Sequence, residues 1–176
     1  MRRLLAALEG APFSYPVPGA TRGAAPSGYT VDHNRVRLGT GADAFRRAIE
    51  AVRRWAMFHL GWLELVPPAP ALRVGTTVGV LVQHPGFWSL NPCRIVYLVD
   101  EEARFGFAYG TLPGHAEAGE ERFTVEWNRA DDSVAYDLLA FSRPHHILAR
   151  AGYPFARLLQ KRFARDSLRA MVAAVQ

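Results

Sequence analysis

YPFARLLQKRFARDSLRAMVAAV, residues 153–175, is the stretch that decides the fold. Phe155, Leu158, Leu159, Phe163, Leu168, Met171, Val172 and Val175 recur at spacings of three and four, the period of a helix with one apolar side. Arg157, Lys161, Arg162, Arg165 and Arg169 fill the other side. No proline interrupts the pattern after Pro154, and Pro144 separates it from what precedes. A helix of this length at the end of the chain needs an apolar surface to lie on.

The sequence upstream supplies strands for that surface. RFGFAYGTL puts Phe105, Phe107 and Tyr109 on one face and Gly106, Ala108 and Gly110 on the other, the alternation of a half-buried strand. RFTVEW groups Phe123, Val125 and Trp127 in the same way, and SVAYDLLAFS follows. Before them come YTVDHNRVRL, WLELV, TTVGVLVQH and the nearly continuous apolar run CRIVYLVD. Between the first strand and the rest, Phe45, Ala48, Ile49, Val52, Trp55 and Ala56 predict an amphipathic helix over about 42–58, with Thr40 at its N-cap. Residues 11–28 are rich in Pro, Gly and Ala and predict an extended arm.

Short connections between consecutive strands imply antiparallel pairing. The expected class is α+β: a curved antiparallel sheet of about seven strands wrapped around the long C-terminal helix, the element order of the helix-grip fold. The expected organisation is one domain over 1–176, with 1–28 as an N-terminal arm packed on it. The space between such a sheet and its helix is commonly a cavity.

Composition narrows the classes of function. The chain has 176 residues, 49% of them hydrophobic and 21% charged, as in a globular protein with a sizeable core. No apolar run approaches the ~18 residues of a membrane-spanning helix. MRRLLAALEG is broken by Glu9 and reads as a short helix rather than a signal peptide, so a cytoplasmic location is expected. The net charge is +5, almost all from arginine, with Lys161 the only lysine. These charges are dispersed, which disfavours nucleic acid as a partner. A lone cysteine, Cys93, excludes an internal disulfide and a multi-cysteine metal site, and its apolar context suits a small core residue.

Chemistry-bearing residues gather in FGFAYGTLPGHAEAGEERF, residues 105–123. The simpler reading makes Leu112–Glu120 a hairpin connection whose glutamates pair with surface arginines. The functional reading has His115 moving protons near neutral pH, with Glu120 or Glu121 orienting it. Alternation places Glu121 on the face of Phe123 and Val125, where it needs a partner. The weak catalytic candidates are therefore His115, Glu121 and Tyr109. His115-Ala116-Glu117 matches the H-x-E of zinc deaminases but lacks the P-C-x-x-C that must follow; Pro92-Cys93 lies upstream and alone. His145-His146 reads as part of a polar loop, and no metal or other cofactor is expected.

Alternation also predicts an interior ligand site lined by Tyr97, Tyr109, Phe123 and Tyr136 and by the Phe155, Leu159, Phe163 side of the last helix. Inward tyrosine hydroxyls would orient a ligand in an apolar interior. Arg143 would anchor an anion at the mouth.

FSYPVPGATR, WAMFHLGW, NPCRIVYLVD, FGFAYGTLPGHAEAGEERF and FSRP, in this order, resemble an uncharacterised family of bacteria and plants, the domain of unknown function numbered nineteen-ninety. Ala116 departs from the proline expected after Gly-His. The resemblance implies a helix-grip fold of the START-like, pollen-allergen-like kind and carries no catalytic residues or cofactor. The residues then point to binding of a small apolar or aromatic molecule in an interior cavity. The alternatives are an enzyme of the cyclase, dehydratase or hydrolase type in the same cavity, and a protein-interaction module using the basic helix faces. The oligomeric state is left open.

Overall fold

Seven strands form one antiparallel sheet in the order β1-β7-β6-β5-β4-β3-β2. The computed structural model describes residues 1–144 and 153–176, so His145-His146 lie outside the described residues. The strands are β1 (Thr30–Thr40), β2 (Leu63–Val66), β3 (Thr77–His84), β4 (Phe87–Glu101), β5 (Arg104–Thr111), β6 (Glu117–Asn128) and β7 (Ser133–Pro144). Helix α1 (Arg2–Ala7) precedes them, α2 (Gly41–Arg53) joins β1 to β2, and α3 (Tyr153–Val175) closes the chain. Strands β2 to β7 pair with their chain neighbours; β1 pairs with β7, so α2 and the turn after it carry the chain from one edge of the sheet to the other.

α3 lies on the concave face, where its two halves differ. Met171 and Val175 are fully buried, and Leu168 and Val172 pack on the same core. Phe155 and Leu158, expected among the buried residues, are 53% and 66% exposed. The helix therefore grips the sheet with its C-terminal half, and its N-terminal half roofs a space. No helix among the described residues is long and apolar enough to cross a membrane.

α2 is shorter than the periodicity predicts. It ends at Arg53, and Trp55 takes a left-handed backbone with φ 57° before a 3-10 turn, Ala56–Phe58. A helix cannot continue through that conformation. The turn swings the Trp55 ring into the core, where it is 1% exposed and its indole N–H donates to the Pro70 carbonyl at 2.9 Å. Burying so large a ring offsets the ~1 kcal/mol of backbone strain.

β4 and β6 are longer than predicted. β4 begins at Phe87 and absorbs FWSLNP, and β6 begins at Glu117 and takes up half of the predicted loop. The connection between β5 and β6 is thus only residues 112–116, and the glutamates after it obey strand alternation.

The outer, convex face is covered by the N-terminal arm. Leu5 of α1 lies over Gly79, and the Arg94 guanidinium donates to the Leu8 and Ala11 carbonyls. Further along, Tyr15 packs with Ala118 and Phe141. Ala108, Gly110 and Ala118 make the sheet shallow enough for the arm. A Cβ at Gly110 would stand 2.1 Å from the Tyr15 hydroxyl oxygen.

Candidate functional site

The space under the N-terminal half of α3 is a cavity of about 610 Å³. Its apolar walls come from Phe58, Trp62, Leu63, Val80 and Leu138, roofed by Leu159, Phe163 and Leu168 of α3. Its polar groups include Tyr109, Glu117, Glu121, Asp32, Asn34, Ser142 and Gln160.

Strand register builds the central pair. Tyr109 on β5 stands directly opposite Glu121 on β6, and both side chains point to the concave face. The Tyr109 hydroxyl donates to Glu121 Oε2 at 2.8 Å. Burial pushes the Glu121 carboxyl up to about 8; the Tyr109 hydrogen bond opposes this, and the negative charges of Glu117 and Asp32 add to it. Burial also raises Tyr109, Tyr136 and Cys93 well above their ordinary values. Near neutral pH the pair is a mostly protonated carboxyl beside a neutral phenol.

A second polar group sits where α3 crosses β1, β7 and β6. Arg157 holds Asp32 by a two-pronged ion pair, one arm at 2.7 Å, and also donates to Gln160. Gln160 donates to Glu117 Oε2 and, at 3.0 Å, to Ser142 Oγ. Glu117 Oε1 is buried with no hydrogen-bond partner, and burial raises this carboxyl too, against the Ser142 and Gln160 hydrogen bonds.

His115 stands at the rim. Its Nδ1 accepts the Glu117 backbone N–H at 2.9 Å, which fixes the short turn and places the neutral-form proton on Nε2. Neither Glu120 nor Glu121 is hydrogen-bonded to it. Gly114 supplies a left-handed φ of 94° in that turn. Gly119 is required for a different reason: a Cβ there would meet the Phe141 carbonyl oxygen at 2.0 Å.

Of the predicted lining residues, Tyr109, Leu159 and Phe163 border the cavity. Phe123 and Tyr136 are fully buried beneath it. The Phe123 ring packs on Phe58, Tyr109 and Phe163, and the Tyr136 hydroxyl bonds Ser167 Oγ at 3.0 Å. Tyr97 faces the other way. A β-bulge between Ile95 and Tyr97 adds one residue to β4 and reverses its alternation, so Tyr97 pairs with Ala108 on the outer face and its hydroxyl meets Thr21 Oγ1 at 2.7 Å. Arg143 is likewise on the outer face, exposed and stacked over the Tyr29 ring at 4.7 Å, and so does not reach the cavity mouth. Phe155 is exposed, its ring 6.1 Å from that of His84 on β3.

Glu120 is the largest departure from a surface glutamate. It is 2% exposed on the outer face and accepts hydrogen bonds from the Tyr15 hydroxyl at 2.5 Å, from Gly19 N–H at 2.6 Å, and from both Thr21 N–H and Thr21 Oγ1. The small face Gly106-Ala108-Gly110 was the sequence signal for a partner there. Asp32, Asn34 and Gln160 were missed as cavity residues; the alternation of Asp32, Asn34 and Val36 along β1 carried the signal for the first two. Among the described residues no group of three His, Cys, Asp or Glu side chains is placed to hold a metal ion.

Solved structures share this architecture at low sequence identity. The Zhui aromatase/cyclase of Streptomyces sp. R1128 superposes with a TM-score of 0.58 at 13% identity, covering 84% of this chain and 93% of that one. Norcoclaurine synthase of Thalictrum flavum, solved with a transition-state analogue, gives 0.53 at 13% identity, covering 85% and 98%. The shared architecture is the helix-grip fold. In sequence, a UPF0548 protein of Dictyostelium discoideum is 40% identical over 160 residues, 85% of this chain and 74% of its own length. Residues 14–170 match the model of DUF1990, a domain of unknown function, and the chain belongs to that family.

Proposed function

We propose that the protein binds a small, mainly apolar or aromatic molecule in the cavity under α3. The observation that carries this is the cavity itself: about 610 Å³, walled by aliphatic and aromatic side chains, with a few hydrogen-bonding groups, Tyr109 and Glu121 at their centre. That composition and size are those of small-molecule sites. Two proteins of the same fold named for enzymatic reactions, an aromatase/cyclase and norcoclaurine synthase, are consistent with such use of the fold. An interior this open argues against a pure interaction module.

The test is a screen of fatty acids, isoprenoids and aromatic polyketide-like compounds by thermal shift and intrinsic fluorescence. True ligands raise Tm, because they bind the native state alone. Dissociation constants are expected on the order of micromolar. Ala140 lines the cavity, so Ala140→Phe fills part of it and should abolish the response with the fold retained. A screen in which Ala140→Phe and the parent protein respond alike to every compound removes the reading.

A second reading draws on the same pair. A carboxyl held up at about 8 retains a proton to give near neutral pH, which suits the general acid of a cyclase, dehydratase or hydrolase. Turnover that disappears in Glu121→Gln while binding persists would select it.

A further inference from the structure

The hydrogen-bonding groups of the cavity are unevenly matched. Among the described residues Glu121 has one hydrogen-bond partner, the Tyr109 hydroxyl, which is bonded to Oε2. Glu117, four residues earlier on the same strand and face, keeps Oε1 buried without a partner. Among the described residues, no arginine, lysine or histidine forms an ion pair with either carboxyl; the ion pairs nearby join Arg157 to Asp32. The Gln160 amide already serves Glu117 Oε2 and Ser142. Lys161, Arg165 and Arg169 border the cavity but are exposed on the solvent side of α3. The two inward carboxyls therefore have acceptor capacity to spare and no cationic partner among the described residues.

We propose that the ligand is an amine, an apolar or aromatic skeleton whose protonated nitrogen seats against the Glu121 carboxylate with Glu117 Oε1 open to a further N–H. The proposal rests on the cavity being the ligand site. An ammonium group brings three donors and no acceptor, the complement of this wall. An alcohol can satisfy one acceptor but brings no charge. A carboxylate would face two buried carboxyls across apolar walls that screen little. The aromatic side chains of Phe58, Trp62 and Phe163 line the same cavity, and aromatic walls also suit a cation.

Binding of this kind moves a proton. The groups facing Glu121 are Tyr109 from β5, Cys93 from β4, Tyr136 from β7, Glu117 on its own strand and Asp32 from β1. Around the same cavity stand His84 from β3, His115 from the β5–β6 turn, and Gln160 and the Asp32-bound Arg157 from α3. Burial keeps both tyrosines and the cysteine neutral across the neutral range. An incoming ammonium ion then expels the proton that Glu121 carries: the carboxyl O–H breaks, the proton goes to buffer, and the carboxylate pairs with the ammonium.

The experiment uses one skeleton with three ends: 4-phenylbutylamine, 4-phenylbutan-1-ol and 4-phenylbutanoate, titrated by calorimetry into the full chain at pH 6, 7 and 8. The amine should bind at least about tenfold more tightly than the alcohol at pH 8, and the carboxylate most weakly. Amine affinity should rise by up to about tenfold per pH unit from 6 to 8. Titrations at pH 6 in two buffers of different ionisation enthalpy should show close to one proton released, a measurement that needs no variant. Glu121→Gln should bring the amine down to the affinity of the alcohol and abolish proton release. Equal binding of amine and alcohol, tighter binding of the carboxylate, or no proton release overturns the amine proposal and leaves the cavity as a ligand site. If none of the three binds and the wider screen is also silent, the cavity reading falls with it.

Discussion

Glu120 and Glu121 are consecutive residues of β6 whose carboxyls lie on opposite faces of the sheet, one closed over by the N-terminal arm and the other open to the cavity. The first is held by four hydrogen bonds and the second by one. A single step along the strand thus separates a carboxylate that secures the fold from a carboxyl that the fold holds at a cost.

That cost appears as pH dependence. The folded-state value of Glu121, about 8, lies above its ordinary 4.5, so between these values the native state holds a proton that the unfolded state has lost. Its contribution to stability therefore declines as pH rises from about 4.5 and levels off above about 8. Glu121→Gln should remove this decline and stabilise the protein by on the order of 2–4 kcal/mol at pH 8. Urea unfolding at pH 6 and pH 8 measures the difference.

The arm should behave as part of the fold. Tyr15→Phe removes one donor from a buried carboxylate and should cost about 1–3 kcal/mol. Glu120→Ala strands the Tyr15 and Thr21 hydroxyls and two backbone N–H groups, and should cost about 3–5 kcal/mol. Both side chains act on the outer face, away from the Tyr109–Glu121 pair, so ligand affinity at a temperature where the variants remain folded should stay within about twofold. A large loss of affinity in Tyr15→Phe would show that the two faces are coupled.

Gly119→Ala should be severe for a residue in an extended strand. The added methyl would meet the Phe141 carbonyl at 2.0 Å, and backbone must move to admit it. A loss of several kcal/mol is expected, by analogy with other overpacking, at or above the ~1–3 kcal/mol typical of the core. Replacing His115 by Ala should cost far less, since the side chain stands at the rim and its Nδ1 accepts a hydrogen bond within the turn. A chemical denaturation series of the two variants checks the ranking.

Acid should loosen the outer face at Asp137. Burial raises this carboxyl, but hydrogen bonds from His33 at 2.6 Å, Arg122 at 3.0 Å and Arg35 at 3.1 Å outweigh it and leave the group below its ordinary value. A depressed carboxyl contributes stability above its unfolded-state value and loses it as pH falls through its folded-state value. Asp137→Asn should therefore lower Tm at pH 7 and flatten the acid limb of the stability profile. An unchanged acid limb would assign that limb to other carboxylates.

Ligand binding should be reported by one tryptophan. Trp62 lines the cavity, donates its indole N–H to Asp166 at 3.2 Å and lies under the Arg162 guanidinium at 4.3 Å. Trp55 is packed in the core, and Trp88 is exposed at the β3–β4 hairpin. Trp62→Phe should remove most of any ligand-dependent fluorescence change and leave the thermal shift in place.

Periodicity made the architecture legible because both of its signals are local. Three-and-four spacing predicts α3 over the same residues, Tyr153–Val175, that form it, and alternation places the strands. What failed was alternation carried across irregularities. It ran through the extra residue of β4 and turned Tyr97 inward, and it stopped too early at β6 and left Glu120 in a loop. Glu121 and Tyr109 were legible because their strands pair without a bulge there. The clamp on Glu120 was not, since Tyr15 and Thr21 come from about 100 residues away and nothing in the arm's composition specifies a carboxylate.

Val96 gives β4 two allegiances. Below the bulge, Cys93 and Ile95 belong to the concave side; above it, Tyr97 and Val99 belong to the convex side. Deleting Val96 would join Ile95 directly to Tyr97, and unbroken alternation would leave Ile95 opposite Tyr109 and Tyr97 opposite Ala108 as before. Cys93 and Ile95 would stay in the core, Tyr97 would keep Thr21 and the Arg22 guanidinium, and the strand would lose the local bend and added twist that an extra residue gives. The inserted residue acts as a crease in the strand, and the choice of faces lies in the residues on either side of it.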